Sequence, residues 1–175
     1  MKSFTKEELE ALFSAAEKHS AQDALMLRTI FNHGLRVSEV LGLTSKNLEA
    51  RHLVVKRLKG SRKTTQPLLM DEREGLEALA KTSGARPLFP ICRMTAWRKL
   101  QQYGKEAGIP AFKLHPHALK HSTGRLGYEA GMGIPELQKY LGHASGASTM
   151  IYLEAGEEES CASFAAAKER TFSNG

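Results

Sequence analysis

The stretch HPHALKHSTGRLGYEAGMGIPELQKYLGHASGASTMIY, residues 115 to 152, decides how this chain reads. Pro116 fits the first position of a helix, where its missing N–H costs nothing. From that start, His117, Lys120 and His121 fall at i, i+3 and i+4, on one helix face. A second short helix is expected from Pro135 to Leu141, closed by Gly142, a residue suited to the left-handed C-terminal turn. His143 follows that turn directly, and Tyr152 comes nine positions later. Basic groups, a histidine on a turn and a tyrosine in one short stretch are equipment for holding a phosphate and attacking it with a phenol oxygen.

The stretch resembles the C-terminal active-site box of the tyrosine recombinases, the phage integrase family. That box reads His-x-x-Arg-His, then Leu-Gly-His, then a nucleophilic Tyr at the spacing found here. His117, Lys120, His121, Leu141, Gly142, His143 and Tyr152 stand at those positions. One departs: Lys120 stands where the family has Arg. The sequence HPHALKHS and the segment RLKGSRKTTQPLL are also similar to the short fimbrial phase-switch invertases.

Upstream lies GLRVSEVLGL, with Arg36 at the start of an expected helix. Such an arginine can aim its planar fork at a phosphate beside the helix N-terminus, or simply pair with Glu39 on the surface. Gly-x-Arg-x-Ser-Glu is similar to the family's first arginine box. The resemblance implies that Arg36 contacts the scissile phosphate and that Glu39, like His121, supports the site.

Between the two boxes a β-region is expected. Residues 51 to 58 (RHLVVKRL) are β-branched in the middle, and residues 64 to 69 (TTQPLL) can return as a partner strand. Most tyrosine recombinases carry a catalytic lysine on this hairpin, and the resemblance favours Lys59. Lys56, Arg62 and Lys63 are its rivals, and on charge alone all of these are solvated groups that touch backbone phosphates.

The remaining segments read as helices. Thr5 opens one with the capping box Thr-x-x-Glu, and Leu9, Leu12 and Phe13 form its apolar stripe. A second runs from about Gln22 to Asn32 and ends at Gly34, a third from Ser38 to Leu43, and a fourth from Asp71 to Lys81. A fifth, Arg93 to Ala107, places Trp97, Leu100 and Tyr103 for packing and presents Arg93, Arg98 and Lys99 to a DNA backbone. Trp97 reads as core rather than as a stacking platform. The resulting fold class is α+β, mainly α: a helical bundle with a small antiparallel hairpin or sheet on one side. Residues 1–155 are expected to form one catalytic domain, with no N-terminal core-binding domain before it. Residues 156–175 form a tail whose helix, about Glu158 to Arg170, docks in trans or packs in cis.

Composition agrees with a nucleic-acid partner. With 175 residues and 41% hydrophobic content, one domain can bury its own core. A formal net charge of +6 favours a polyanion, nucleic acid first, and the resemblance implies double-stranded DNA. The two cysteines, Cys92 and Cys161, make neither a disulfide framework nor a zinc site and fit a reducing cytosol. No run is long and apolar enough for a membrane span, and the amphipathic N-terminus is not a signal peptide. The resemblance adds a bacterial or phage origin and assembly as a homo-tetramer on DNA, leaving a monomeric free chain open.

The chemistry implied is strand cleavage through a 3′-phosphotyrosine, without metal or other cofactor. Arg36, His117 and His143 would stabilise charge on the non-bridging oxygens, and Lys59 would protonate the departing 5′-oxygen. Tyr152 would attack, its phenol activated by nearby cations and a base. Lys120 keeps the charge of the family's arginine but loses the two-pronged fork. Its presence fits tolerated but slower cleavage, a natural subgroup, or a chain that binds DNA and cleaves it poorly; retained activity is favoured. Three other readings compete. His117 and His121 have a zinc-compatible spacing, but no Glu lies inside the motif and no third ligand is evident. A non-enzymatic DNA-binding module would differ by forming no covalent adduct. A topoisomerase using the same tyrosine chemistry would relax supercoils without sequence preference.

Overall fold

The computed structural model describes residues 3–58, 63–115 and 117–143. Among them, the chain forms α1 (Lys6–His19), α2 (Ala21–His33) and α3 (Val37–Leu41), then β1 (Leu48–Glu49), β2 (His52–Val55) and β3 (Thr64–Pro67). Four helices follow: α4 (Met70–Ser83), α5 (Arg93–Glu106), α6 (Ala118–Glu129) and α7 (Ile134–Leu141). The architecture is the expected one, mainly helical with a small antiparallel sheet.

Local chemistry sets the helix ends. Thr5 and Glu8 make the anticipated capping box: Glu8 N–H donates to Thr5 Oγ1 at 3.2 Å, and Thr5 N–H to Glu8 Oε2 at 2.8 Å. Gly34 ends α2 and Gly142 ends α7, both in the left-handed region (φ 55° and 67°) that favours glycine. The third helix stops at Leu41 rather than Leu43, because Gly42 breaks it; Leu43 instead points into the core.

Helix α2 is the centre of the packing. It buries Ala24, Met26, Leu27 and Ile30 and lies against α1, α4 and α6. Leu9, Leu12 and Phe13 of α1 and Leu100 of α5 join the same core. Each fully buried Leu or Ile contributes about 1.5–3 kcal/mol from area removed from water. Polar ties add direction: Asp23 of α2 accepts from Lys99 Nζ and from the Tyr103 hydroxyl, both at 2.5 Å.

Trp97 departs from the sequence expectation. It is 41% exposed, because the buried stripe of α5 runs through Ala96, Leu100 and Tyr103 and leaves Trp97 one step off it. It edges an apolar cleft of about 670 Å³ whose lining includes Met26, Val37, Met94 and Leu119.

The sheet has the order β1-β2-β3, antiparallel throughout. Leu48 pairs with Leu53 across the first ladder, and Leu53 with Gln66 and Val55 with Thr64 across the second. The short β1 was not anticipated; Ala50 and Arg51, both at positive φ (44° and 67°), turn the chain into β2. Inward-facing positions recur at every second residue: Leu53 and Val55 on β2, then Arg57 beyond its end, with Thr64 and Gln66 on β3. The sheet meets α7 through β3. None of the described helices is long and apolar enough to cross a membrane.

Candidate active site

Arg36 is the residue before α3, so its backbone N–H has no helical acceptor. Glu39 supplies one: its Oε2 accepts from Arg36 N–H at 2.7 Å and its Oε1 from Arg36 Nη1 at 2.8 Å. Arg36 Nη1 also reaches the Leu58 carbonyl at 3.2 Å. The arginine is thus held by two elements while its side chain keeps 23% of its surface exposed. The pairing with Glu39 is present, though with a buried rather than a surface carboxylate, and it leaves part of the Arg36 side chain exposed.

Glu39 is fully buried, and its oxygens also accept from Leu58 N–H at 3.1 Å and Arg57 Nη1 at 3.2 Å. Burial alone would raise its carboxyl. The amide donors of Arg36 and Leu58, with the charges of Arg57 and Lys120, hold it below the usual carboxylate value.

Arg57 went unnoticed in the sequence, yet it is the most connected side chain here. It has no exposed surface. Nε donates to Thr64 Oγ1 at 3.0 Å, Nη1 to Gly34 O at 3.1 Å and to Glu39, and Nη2 to His33 O at 2.8 Å and Tyr140 O at 3.2 Å. Every N–H of the guanidinium is therefore placed. The signal lay in the strand alternation Leu53, Val55, Arg57, which points this charge inward while Lys56 points out.

Lys120 lies one turn into α6 and is buried. Its Nζ donates to Gly34 O at 2.8 Å and Leu141 O at 3.0 Å. Burial, then the Arg57 and Arg36 charges, depress its pKa to about 7, against the opposing pull of Glu39. His143 follows the α7 cap and is anchored by its own N–H on Gln138 O at 3.0 Å. Half-buried, it is held neutral, with a pKa of about 4, by desolvation and by the charges of Lys120, Arg36 and Arg57. Arg36, Lys120 and His143 therefore share one side of the molecule.

His117 caps α6 from outside its first turn and is exposed. Its ring lies 6.3 Å from that of His121, and the His115 ring lies 6.0 Å from His121 on the other flank. His121 is lowered to about 4 by burial and by these neighbours, and its Nδ1 is buried without a hydrogen-bond partner. No group of three metal-ligating residues occurs among the described residues.

Lys63 is exposed at the start of β3 and lines a cleft of about 520 Å³ with Pro135, Gln138, Lys139, Gly142 and His143. Lys56 is exposed on the same hairpin, and Arg93 and Arg98 are exposed on α5. Lys99 is paired with Asp23. Lys59, Arg62, Pro116 and Tyr152 lie outside the described residues, as does the tail.

This arrangement, two arginines and a lysine around one carboxylate beside a neutral histidine, suits an anion. A model described as the phage integrase family matches residues 2–159. The chain belongs to the phage integrase family. The tyrosine recombinase XerA of Pyrococcus furiosus is 36% identical over 166 residues, covering 86% of this chain and 56% of the relative. A XerH site-specific recombinase bound to palindromic difH substrate in a post-cleavage complex superposes with a TM-score of 0.76 at 23% identity, over 90% of this chain and 51% of that one. The catalytic domain of bacteriophage HP1 integrase gives 0.71 at 20% identity, over 94% of this chain and 95% of that one. The chain thus spans little more than half the length of the curated integrase-family relatives it matches, and its fold is that of an integrase catalytic domain.

Proposed function

We propose that this chain cleaves and rejoins double-stranded DNA at specific sites through a 3′-phosphotyrosine. What carries the reading is the convergence of Arg36, Lys120 and His143 on one side of the fold, with Arg36 braced by Glu39 and still exposed. Arg36 binds the scissile phosphate in two-pronged fashion, and His143 and His117 donate hydrogen bonds to its oxygens. Tyr152 attacks phosphorus, its proton passing to a neighbouring base such as His117. The 5′-oxygen leaves with a proton from the hairpin, from Lys59 first and Lys63 as its rival. The phosphotyrosine conserves the bond energy, so another strand's 5′-hydroxyl reseals it without cofactor. Lys56, Arg62, Arg93 and Arg98 steady the backbone, with Lys99 contributing once its pairing with Asp23 is exchanged.

The working assembly is a tetramer on DNA, in a cytoplasmic setting. The tail, whose sequence places Ala162, Phe164, Ala165 and Ala166 at helical spacing, would dock on a neighbouring copy or pack on its own.

The test is a pool of duplexes with randomised core sequence, nicked so that cleavage cannot reverse. After denaturation a DNA-linked protein band is expected, absent in Tyr152→Phe and greatly weakened in Arg36→Ala. One observation favours a second reading, a DNA-binding module that cleaves weakly: Lys120 already donates to two backbone carbonyls. Salt-sensitive binding with no adduct from the parent chain would select it.

A further inference from the structure

We infer that Arg57 is the positioning residue that fixes Arg36 and His143 relative to each other. The inference rests on the strand-cleavage reading for its kinetic arm only. Arg36 belongs to the α2–α3 junction, and His143 to the exit of α7, more than a hundred residues later in the chain. Few polar groups bridge those two places. Arg57 does so with a single planar group: Nη1 holds Gly34 O and Glu39, which braces Arg36, while Nη2 holds His33 O and Tyr140 O. Nε on Thr64 Oγ1 fixes the plane from the sheet.

The surroundings are built to this side chain. A Cβ on Gly142, the residue before His143, would come within 2.8 Å of Arg57 Cγ, so the turn that aims His143 is packed directly on the arginine stem. Gln66, next inward on β3, reinforces the same link by donating to Tyr140 O at 2.9 Å. A lysine at position 57 keeps the charge but has three donors on one atom and cannot span acceptors on opposite sides of a fork. Arg57 has no exposed surface, so it contacts no phosphate itself. Its effect on the reaction passes through the groups it holds.

The experiment uses the full chain with Arg57→Met and Arg57→Lys. Near-UV circular dichroism reports folding, the nicked duplex pool reports binding and adduct rate, and NMR of the His143 ring reports its titration. Arg57→Met is expected to fold and to bind duplex within about threefold of the parent, because the lost charge touches no backbone phosphate. Its adduct rate is expected to fall about 100-fold, the cost of a small misplacement of catalytic groups. The His143 midpoint, about 4 in the parent, should rise only slightly, because burial and the charges of Lys120 and Arg36 hold it down more than Arg57 does. Arg57→Lys should leave the titration near the parent's and recover only part of the rate.

An adduct rate within about threefold of the parent in Arg57→Met would overturn the inference. So would Arg36 and His143 amide NMR shifts that stay unmoved in both variants, or failure of both variants to fold. If the parent itself forms no adduct, the cleavage reading fails separately, and those amide shifts, which loss of the planar fork should move in Arg57→Met and Arg57→Lys alike, still decide the positioning role.

Discussion

Arg57 and Lys120 share one acceptor: the carbonyl oxygen of Gly34 takes Nη1 of the arginine at 3.1 Å and Nζ of the lysine at 2.8 Å. The two cations arrive from the sheet and from α6, and their shared acceptor belongs to the turn just before Arg36. The departure of Lys120 from the family pattern is thereby given a setting. Its ammonium is pinned between the ends of two helices, and a guanidinium already occupies the space beside it.

Gly34 is where that setting is most sensitive. Its φ of 55° strains any residue with a Cβ, and a Cβ there would lie 2.4 Å from Leu141 Cδ2. Gly34→Ala is expected to lower stability by about 2 kcal/mol. Urea denaturation checks this, and an unchanged midpoint would contradict it.

Glu39 balances the surrounding cations and accepts four hydrogen bonds with no exposed surface. In Glu39→Gln an amide NH₂ faces donors and the counter-charge is gone. A loss of about 3–5 kcal/mol is expected, as for breaking other buried pairs. A loss below about 1 kcal/mol would mean that the carboxylate is dispensable.

His121 and His143 both titrate near 4 in the fold, below the ordinary imidazole value. Between pH 6.5 and about 4 the unfolded chain therefore holds protons that the folded chain refuses. Stability should rise with pH across that window and be lost as pH falls through it. His143→Asn should flatten the slope; a parallel curve would refute the assignment. Duplex binding, by placing phosphate charge beside His143, should raise its midpoint.

Lys120 acts in a different window. Its pKa of about 7 lies below the ordinary lysine value of 10.5, so folding expels its proton between those limits. Stability should increase from pH 7 toward 10.5 by this contribution, and below about 7 the slope should vanish. Lys120→Met is expected to lose that slope. Denaturation midpoints at pH 7 and pH 9 for both proteins provide the comparison, and equal slopes would show that the ammonium is not desolvated.

The turn between β1 and β2 places Ala50 and Arg51 at positive φ, where Asn and Gly are favoured in two-residue hairpins. Ala50→Asn and Arg51→Gly are each expected to raise stability by about 1 kcal/mol without affecting DNA binding. A lower melting temperature in either would mean that the turn side chains make compensating contacts.

The helical frame was legible because its signals are local. Thr5 with Glu8, and Gly34 and Gly142 after apolar runs, marked helix ends by chemistry that needs no tertiary knowledge. The pairing of Arg36 with Glu39 was legible in the same way, from an i, i+3 spacing at a helix start. What escaped notice depended on distant partners. Arg57 looked like one more basic residue on a basic hairpin, and only acceptors from α2, α7 and β3 reveal its role. Trp97 looked like core because large aromatics usually are, yet the stripe of α5 passes beside it. The two-residue β1 carries no alternation of its own and exists only because β2 pairs with it.

The carbonyls gripped by Arg57 and Lys120 belong to His33, Gly34, Tyr140 and Leu141, the closing residues of α2 and α7. Those are the electronegative poles of two helix dipoles, and bare poles repel anions. The buried arginine and lysine act as stoppers on them, so that an anion drawn to Arg36, as proposed, would not face two uncovered helix tails.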